Sequence, residues 1–343
     1  MKFDHYNAVR TTAGYLQLQD RSWIGFVGTE RADFLQGLLT NDVVSLACGT
    51  GCYATYLTPQ GRMIADMIVL ADQDRLLVDV HGSVNASLHK RFDSLIFAED
   101  VTVQNLGETF SAFGIHGPHA LEIISSLFLS TKRQFTVHEH CRVDIEGAAG
   151  LLVRTDDLGI EGYRLIVDRT VTAKVLEVLK TSKAVPLEPK VVETVRVESG
   201  RPLFPVDMDA DTIPLEAGIE DRAIDFDKGC YVGQEVIIRI LHRGQGRVAR
   251  RLVGLVCEQL DAHSRTLPTL GMSIYRVDSD DEVGVVTSAV WSPECSAVIV
   301  LGYLSRELAD QAGVVVDVMV DHSRVRSVVT KLPFVSLSDS DGS

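Results

Sequence analysis

From residue 248 onward the chain carries almost nothing but strand signals, at 251–257, 273–277, 283–289, 297–304, 314–318 and 325–329. The runs are rich in valine, isoleucine and leucine, and turn formers recur roughly every eight to twelve positions between them. Such a segment cannot build a helical bundle; it closes into a small β-barrel or sandwich with its own core. The chain before it is different. A strand at 23–27 is followed by helix signals, with Thr29 as a cap and Phe34, Leu35, Leu38 and Leu39 at helical spacing. Residues 51–57 and 63–70 read as a hairpin around Thr58-Pro59-Gln60-Gly61, and a third strand follows at 75–80.

A helix from Ser83 to about Leu95, strands at 101–103 and 110–115, and a helix begun by Pro118 come next. Strands at 151–154 and 163–167 then precede helices at 170–179 and 189–198. Strands grouped in hairpins and interleaved with helices indicate an α+β fold with antiparallel or mixed sheets. Between 200 and 227 the periodicity fails, which marks a long ordered loop, and helical spacing resumes at Val236, Ile237, Ile240 and Leu241. The expected organisation is an α+β region over 1–245, a barrel over 246–335 and a disordered tail over 336–343.

Composition narrows the function. The chain has 343 residues, 45% hydrophobic and 23% charged, enough apolar side chain for a sizeable core. No apolar run reaches the roughly 18 residues that span a bilayer, and no signal core opens the sequence. A cytoplasmic protein with no membrane partner is expected. Cys48, Cys52, Cys141, Cys230, Cys257 and Cys295 show no C-x-x-C spacing and read as reduced thiols. No protein-only metal site is expected. The formal charge of −14 argues against wholesale binding of nucleic acid. Arg239, His242, Arg243, Arg247, Arg250 and Arg251 locally reverse that sign. They are either a solvated helix end or a docking strip for an anionic ligand tail, RNA or an acidic protein.

The candidate chemistry lies elsewhere. The chain has no phosphate-loop or dinucleotide fingerprint, no H-E-x-x-H and no nucleophile elbow. Lys228-Gly229-Cys230-Tyr231-Val232-Gly233-Gln234-Glu235 is the one stretch that closely frames a candidate nucleophile. Two glycines allow a sharp turn or a close approach, and a lysine two residues away can favour the thiolate where the side chains converge. The segment just precedes a helix, whose N-terminus can stabilise an anion. Against this, free cysteines are mostly small core hydrophobes. Glu161, between Gly159 and Gly162, and Arg196, near a helix end, are further candidates, although isolated charges are mostly surface residues.

The octapeptide resembles the K-G-C-Y-x-G-Q-E signature of the YgfZ family, folate-binding relatives of the glycine-cleavage T-protein (aminomethyltransferase). Three further blocks resemble family blocks: 34–43, with Leu38-Leu39-Thr40-Asn41-Asp42; 61–66, Gly61-Arg62-Met63-Ile64-Ala65-Asp66; and 196–202. Residues 250–255 resemble the entry to the family's barrel, so the likeness covers about 18–334. It implies a T-protein-like cloverleaf of three subdomains, two interleaved α+β subdomains and a β-barrel, around a channel for tetrahydrofolate or a derivative. It implies that Glu161 and Arg196 contact the pterin and neighbouring groups, with Asp66, Lys228 and Tyr231 as further cofactor-binding residues and Cys230 as the functional thiol.

T-proteins carry an acidic pair where this chain has Ala65-Asp66, and another residue where it has Cys230. The resemblance therefore implies assembly or repair of iron–sulfur clusters in client enzymes, including tRNA-thiolating ones, with client or assembly proteins as partners. Beside a folate-binding scaffold whose cysteine is only structural, two alternatives stay open. One is a tetrahydrofolate-dependent aminomethyl- or methyltransferase. The other is a tRNA-binding or tRNA-modifying protein acting through Arg239, Arg243 and Arg247.

Overall fold

A computed structural model describes residues 3–128, 133–145, 147–242, 244, 246–262, 264 and 266–335. Its folding logic shows first in the hairpin Gly51–Leu57 and Met63–Ala71, which forms around Thr58–Gly61 as the sequence indicates. The Thr58 and Gly61 amides close the turn on Arg62 O and Thr58 O, at 2.8 and 2.9 Å. Gly61 takes φ +75°, where a side chain would be strained. Side chains of Met63–Ala71 alternate between faces. Ala65, Met67 and Val69 enter one core cluster, and Ile68 and Leu70 enter another.

The chain divides into two units. The first comprises Met1–Asp156, Glu161–Val191 and Ile219–Val236. It contains two sheets, and all the strands of the second come from the stretch of chain between the first two strands, in chain order, of the first. One has the order Val185–Pro186, Gly14–Leu18, Phe110–His116, Gly162–Asp168, Ala148–Thr155, His140–Ile145, with a single parallel pair at its first edge. The other, antiparallel throughout, has the order Gly51–Leu57, Met63–Ala71, Leu76–His81, Arg21–Val27, Thr102–Asn105.

Each sheet hides one face under helices. Leu35 of Arg31–Gln36 and Leu88 and Phe92 of Gly82–Asp93 cover Ile24, Phe26, Met67 and Val78. Ile124 of Ala120–Phe128 and Val175 and Leu179 of Thr172–Thr181 cover Phe113, Ile115 and Leu165. The remaining faces meet each other, with Trp23, Ile68, Leu70 and Leu77 against Ala112, Val153 and Ile166.

A charged cluster interrupts that apolar layer. Asp79, 1% exposed, accepts from Arg21 Nε at 2.7 Å on its own sheet and from Arg164 of the facing sheet. The alternation explains how it is placed: Asp79 shares a face with Leu77, and Arg164 with Ile166. A carboxylate between two guanidinium groups can sit in this layer because each charge has a partner.

The second unit comprises Asp157–Ile160, Val192–Gly218 and Ile237–Ser343. The expected run of strands closes into a six-stranded barrel in the order Arg250–Cys257, Ala297–Ser305, Glu282–Ser292, Ser273–Arg276, Val315–Val320, Ser323–Thr330. Val253, Leu255, Ile274, Val286, Val300 and Val318 fill it. Val197, near the end of helix Pro189–Glu198, packs with Leu252, Val290, Ile299 and Tyr303 from the outward-facing set.

Several local expectations are revised. The strand His140–Ile145 and the helix Phe3–Thr11 were not anticipated. Thr29 does not cap: its hydroxyl donates to Asp100 at 2.7 Å, and Glu30 holds the cap position. Helix Gly82–Asp93 is capped by His81, whose Nδ1 accepts from Ser83 N, and not by Ser83. The 200–227 stretch contains the short helices Pro214–Ala217 and Glu220–Ala223, with left-handed Gly218 between them. The expectation for 336–343 lies outside the described residues.

Replacing Asp79 by alanine removes the shared carboxylate and leaves two guanidinium groups in the inter-sheet layer without it. A loss of about 3–5 kcal/mol is expected, read from the urea midpoint of the full chain. A loss below about 1 kcal/mol would show that the cluster behaves as a surface pair.

Candidate functional site

The signature enters from a turn organised by Asp225, whose Oδ1 accepts the amides of Asp227 (2.8 Å) and Lys228 (2.9 Å). Lys228 then folds back onto the first unit. Its ammonium donates to Gln36 O at 2.8 Å, Leu39 O at 2.6 Å and Asn41 O at 3.0 Å. These carbonyls lie at and just beyond the C-terminal end of helix Arg31–Gln36, where a helix leaves acceptors without internal partners. Burial pulls the Lys228 pKa down to about 8, against the upward pull of Asp42, Cys52 and Asp225. Its three donors thus serve main-chain oxygens; the activation of Cys230 that adjacency in sequence allows is not what its hydrogen bonds do.

The next residues alternate. Cys230 is exposed and Tyr231 is buried, its ring centroid 5.3 Å from Lys228 Nζ. Burial pushes the Tyr231 phenol up to about 12, so it stays protonated. Gly233 (φ +87°) sets its backbone against the hairpin turn: a Cβ there would lie 2.6 Å from Thr58 O and 3.3 Å from Gly61 Cα. Gly61 in turn lies under Val236, 3.0 Å from the Cβ it would need. By contrast, nothing lies within 4 Å of a Cβ on Gly229. The two signature glycines therefore differ. Gly233 is required for close packing of backbone on backbone, whereas Gly229 meets no such demand. Helix Gln234–His242 begins immediately afterwards.

Asp66 belongs to the same unit and is joined to the signature by a short chain of contacts. Asn41, whose carbonyl receives Lys228, donates through Nδ2 to Tyr53 O (2.8 Å) and Arg222 O (3.1 Å). Tyr53 donates its hydroxyl to Asp66 Oδ2 at 2.9 Å. The Arg222 guanidinium lies 5.0 Å from the Tyr53 ring centroid and donates to Asp156 at 2.9 Å. Asn41, Tyr53, Arg222 and Asp156 were not singled out as site residues. Asn41 alone carried a signal, as part of the 34–43 block.

The strand also decides what Ala65 means. Its side chain is fully buried in the helix-covered cluster, while Asp66 faces the other way, toward Tyr53. A carboxylate at position 65 would be desolvated among Leu35, Met67 and Val78.

Glu161 stands at the entrance of strand Gly162–Asp168. Its carbonyl receives Gly117 N at 2.9 Å, and its Oε1 accepts from Tyr163 OH at 3.2 Å. Burial, reinforced by Glu161, raises the Tyr163 pKa, with Arg154 opposing, so the phenol remains a donor. Among the described residues no other protein donor is recorded on the half-exposed Glu161 carboxylate, which leaves acceptor capacity for a ligand.

Arg196 lies in the second unit and is 4% exposed. Nε and Nη2 donate to Glu193 at 2.8 and 2.6 Å, Nη1 to Asp207 Oδ2 at 2.6 Å and to Arg201 O, and Nη2 also to Ser288 Oγ at 2.8 Å. That accounts for all five N–H groups of a guanidinium. Asp207 also accepts from Thr287 and Ser288, and its carbonyl accepts from Tyr303. In this structure all the Arg196 donors go to protein acceptors, and the residue ties the 201–207 segment to the barrel. Of the arginine strip, Arg250 is likewise engaged, with Glu216 at 3.1 Å and with Asp211 O. Arg239, Arg247 and Arg251 are exposed, and Arg243 lies outside the described residues.

Two family models match the chain. The GCVT N-terminal domain covers residues 3–228, and the glycine cleavage T-protein C-terminal barrel domain covers residues 250–336. An aminomethyltransferase of Desulforamulus reducens is 29% identical over 343 residues, spanning 96% of this chain and 88% of that one. One from a Nostoc species is 27% identical over 341 residues, spanning 97% and 88%. The crystal structure of glycine cleavage system aminomethyltransferase T from Bartonella henselae superposes with a TM-score of 0.85 at 18% identity, covering 97% of this chain and 89% of that one. That likeness is one of fold.

Alanine at Gly233 should destabilise the chain by about 2 kcal/mol or more, because it forces a side chain into the left-handed region and against Thr58 O. Alanine at Gly229 should shift stability by less than about 0.5 kcal/mol; equal losses in chemical denaturation would contradict this packing. The thiols should separate as well. Burial pushes Cys52 up to about 12 and also raises Cys257, whereas Cys48 and Cys230 are exposed. A thiol with a raised pKa forms thiolate only as pH climbs toward that value. Iodoacetamide at pH 8 should therefore label Cys48 and Cys230 and spare Cys52, still so at pH 9.5. Peptide mapping that finds Cys52 labelled as fast as Cys230 would contradict the assignment.

Proposed function

The chain belongs to the glycine cleavage T-protein family and is aminomethyltransferase-like, and on that footing we propose that it binds tetrahydrofolate and serves iron–sulfur enzymes through the thiol of Cys230. The observation that carries the thiol assignment is the contrast within the signature. Cys230 is exposed, yet the loop bearing it is fixed on one side by three Lys228 hydrogen bonds and on the other by Gly233 against the hairpin turn. A thiol presented on a rigid loop loses little conformational freedom when it engages a partner. Client enzymes with clusters, among them tRNA-thiolating enzymes, are the partners this reading supplies. The exposed Arg239 and Arg247 are available to an RNA or an anionic tail.

The residues in the first unit suit the ligand. The aminopyrimidine edge of a pterin presents adjacent N–H donors, and a carboxylate such as Glu161 accepts such a pair with charge-assisted bonds. Tyr163, held protonated, orients the Glu161 carboxylate from its other side. Bound tetrahydrofolate would supply one-carbon chemistry at its reduced ring nitrogens. Asp66, oriented by Tyr53, offers a carboxylate that can hold or accept a proton.

A second reading, a tetrahydrofolate-dependent aminomethyltransferase, is favoured by the faces of the hairpin. The acidic partner replaced by Ala65 would point into the apolar core, and the carboxylate on the opposite face, Asp66, is retained. The missing member of the pair therefore weighs less against transfer chemistry than the sequence alone suggests.

Calorimetric titration with tetrahydrofolate should show binding that Glu161→Gln weakens about tenfold or more, the worth of a charge-assisted bond. Absence of binding by the wild type would remove the ligand assignment. In a strain lacking this protein, Cys230→Ala should retain folate binding but fail to restore iron–sulfur enzyme activity. Full rescue would exclude the thiol, and steady turnover of an aminomethyl donor by purified protein would establish the second reading.

A further inference from the structure

The barrel closes through the pairing of its first strand with its last, but that ladder covers only half of the first strand. It runs from the Cys257–Ser327 pair to the Gly254–Thr330 pair and stops. The opposite edge of the same strand is paired along its whole length, from Arg250 to Cys257, with Ala297–Ser305. After Thr330 the chain leaves the ladder through Lys331 and Leu332, and a cleft of about 370 Å³ opens at the seam.

Its walls are of two kinds. Val253 and Val329, both of the barrel core, and Ala309 and Ala312 line it with apolar surface, and Arg251 and Lys331 bring two cations to it. Both cations are exposed, and no ion pair is recorded for either among the described residues. The acid of the cleft, Asp310, already accepts from Arg306 Nε at 3.2 Å. On a chain of formal charge −14, two cations left beside an opening that is part apolar and part polar make a local site of the opposite sign.

We propose that this seam cleft binds a small amphipathic carboxylate, an aliphatic or aromatic acid. Arg251 and Lys331 hold the carboxylate, and the apolar body lies over Val253, Val329 and Ala309. The chemistry of the walls selects this class. A guanidinium fork matches a carboxylate in plane, and an ammonium adds a point charge. The volume lies at the small end of the range for organic ligands, which excludes a polymer or a dinucleotide from the interior. The apolar lining gives no return on a bare inorganic anion.

The test uses the full chain with 8-anilinonaphthalene-1-sulfonate as fluorescent probe and octanoate as competitor. The probe should bind saturably at one site and be displaced by octanoate, but not by inorganic phosphate at equal ionic strength. The double variant Arg251→Glu, Lys331→Glu, altered only at exposed positions, should raise the octanoate Kd at least tenfold while keeping the wild-type Tm. Ala312→Trp, which narrows the cleft with its charges intact, should do the same. Unchanged octanoate affinity in either variant overturns the proposal, since it removes either the cations or the cleft from the binding. Displacement by phosphate as effective as by octanoate also overturns it, as does the absence of saturable binding.

Discussion

A single ammonium group organises the candidate site. Lys228 Nζ gathers the carbonyls of Gln36, Leu39 and Asn41, residues almost two hundred positions away in sequence. Without a cation there, three main-chain oxygens at the end of helix Arg31–Gln36 would converge on a half-buried space with no donor from the signature, at a desolvation penalty. With it, the path continues through Asn41 to Tyr53 and Asp66. The exposure of Cys230 and the orientation of Asp66 thus depend on the same constraint. The electrostatics agree. The three carboxylate- and thiol-bearing neighbours Asp42, Cys52 and Asp225 all favour the protonated lysine, while burial opposes it.

Much of the fold was legible in sequence because local pattern and tertiary role coincide there. Barrel strands such as Ala297–Ser305 are nearly continuous apolar runs between turn formers, and helix Pro189–Glu198 begins at its proline and ends before Gly200. The hairpin at 51–71 carries its own turn chemistry. What escaped has little local signal. His140–Ile145 is polar at alternate positions and earns its place as an edge strand only by pairing with Ala148–Thr155. Sheet membership was also hidden, because Phe110–His116 lies between strands from residues 14–18 and 162–168.

The site was legible in part, and for a physical reason. Motif residues reveal which positions matter but not what their atoms touch. Arg196 and Lys228 are both cations in recognisable blocks, and both turned out to be hydrogen-bonded to saturation by the protein. Glu161 and Asp66 are each steadied by one tyrosine hydroxyl, and they are the acidic groups to which the proposed function gives recognition and chemistry. Ala65 makes the complementary point. A pair of adjacent residues on a strand straddles the sheet, so a two-residue acidic motif never places both carboxylates in one environment.

The contact of Gly233 with the Thr58–Gly61 turn bears on how such a site can be moved or altered. A side chain at Gly233 would meet Thr58 O, and one at Gly61 would meet Val236 just past the octapeptide, so residues 228–236 and the hairpin pack as one module despite the long stretch of chain between them. A transplant of the octapeptide alone into a foreign scaffold would carry the thiol but not the anvil it rests against. In this chain a side chain added to either segment is felt by the other.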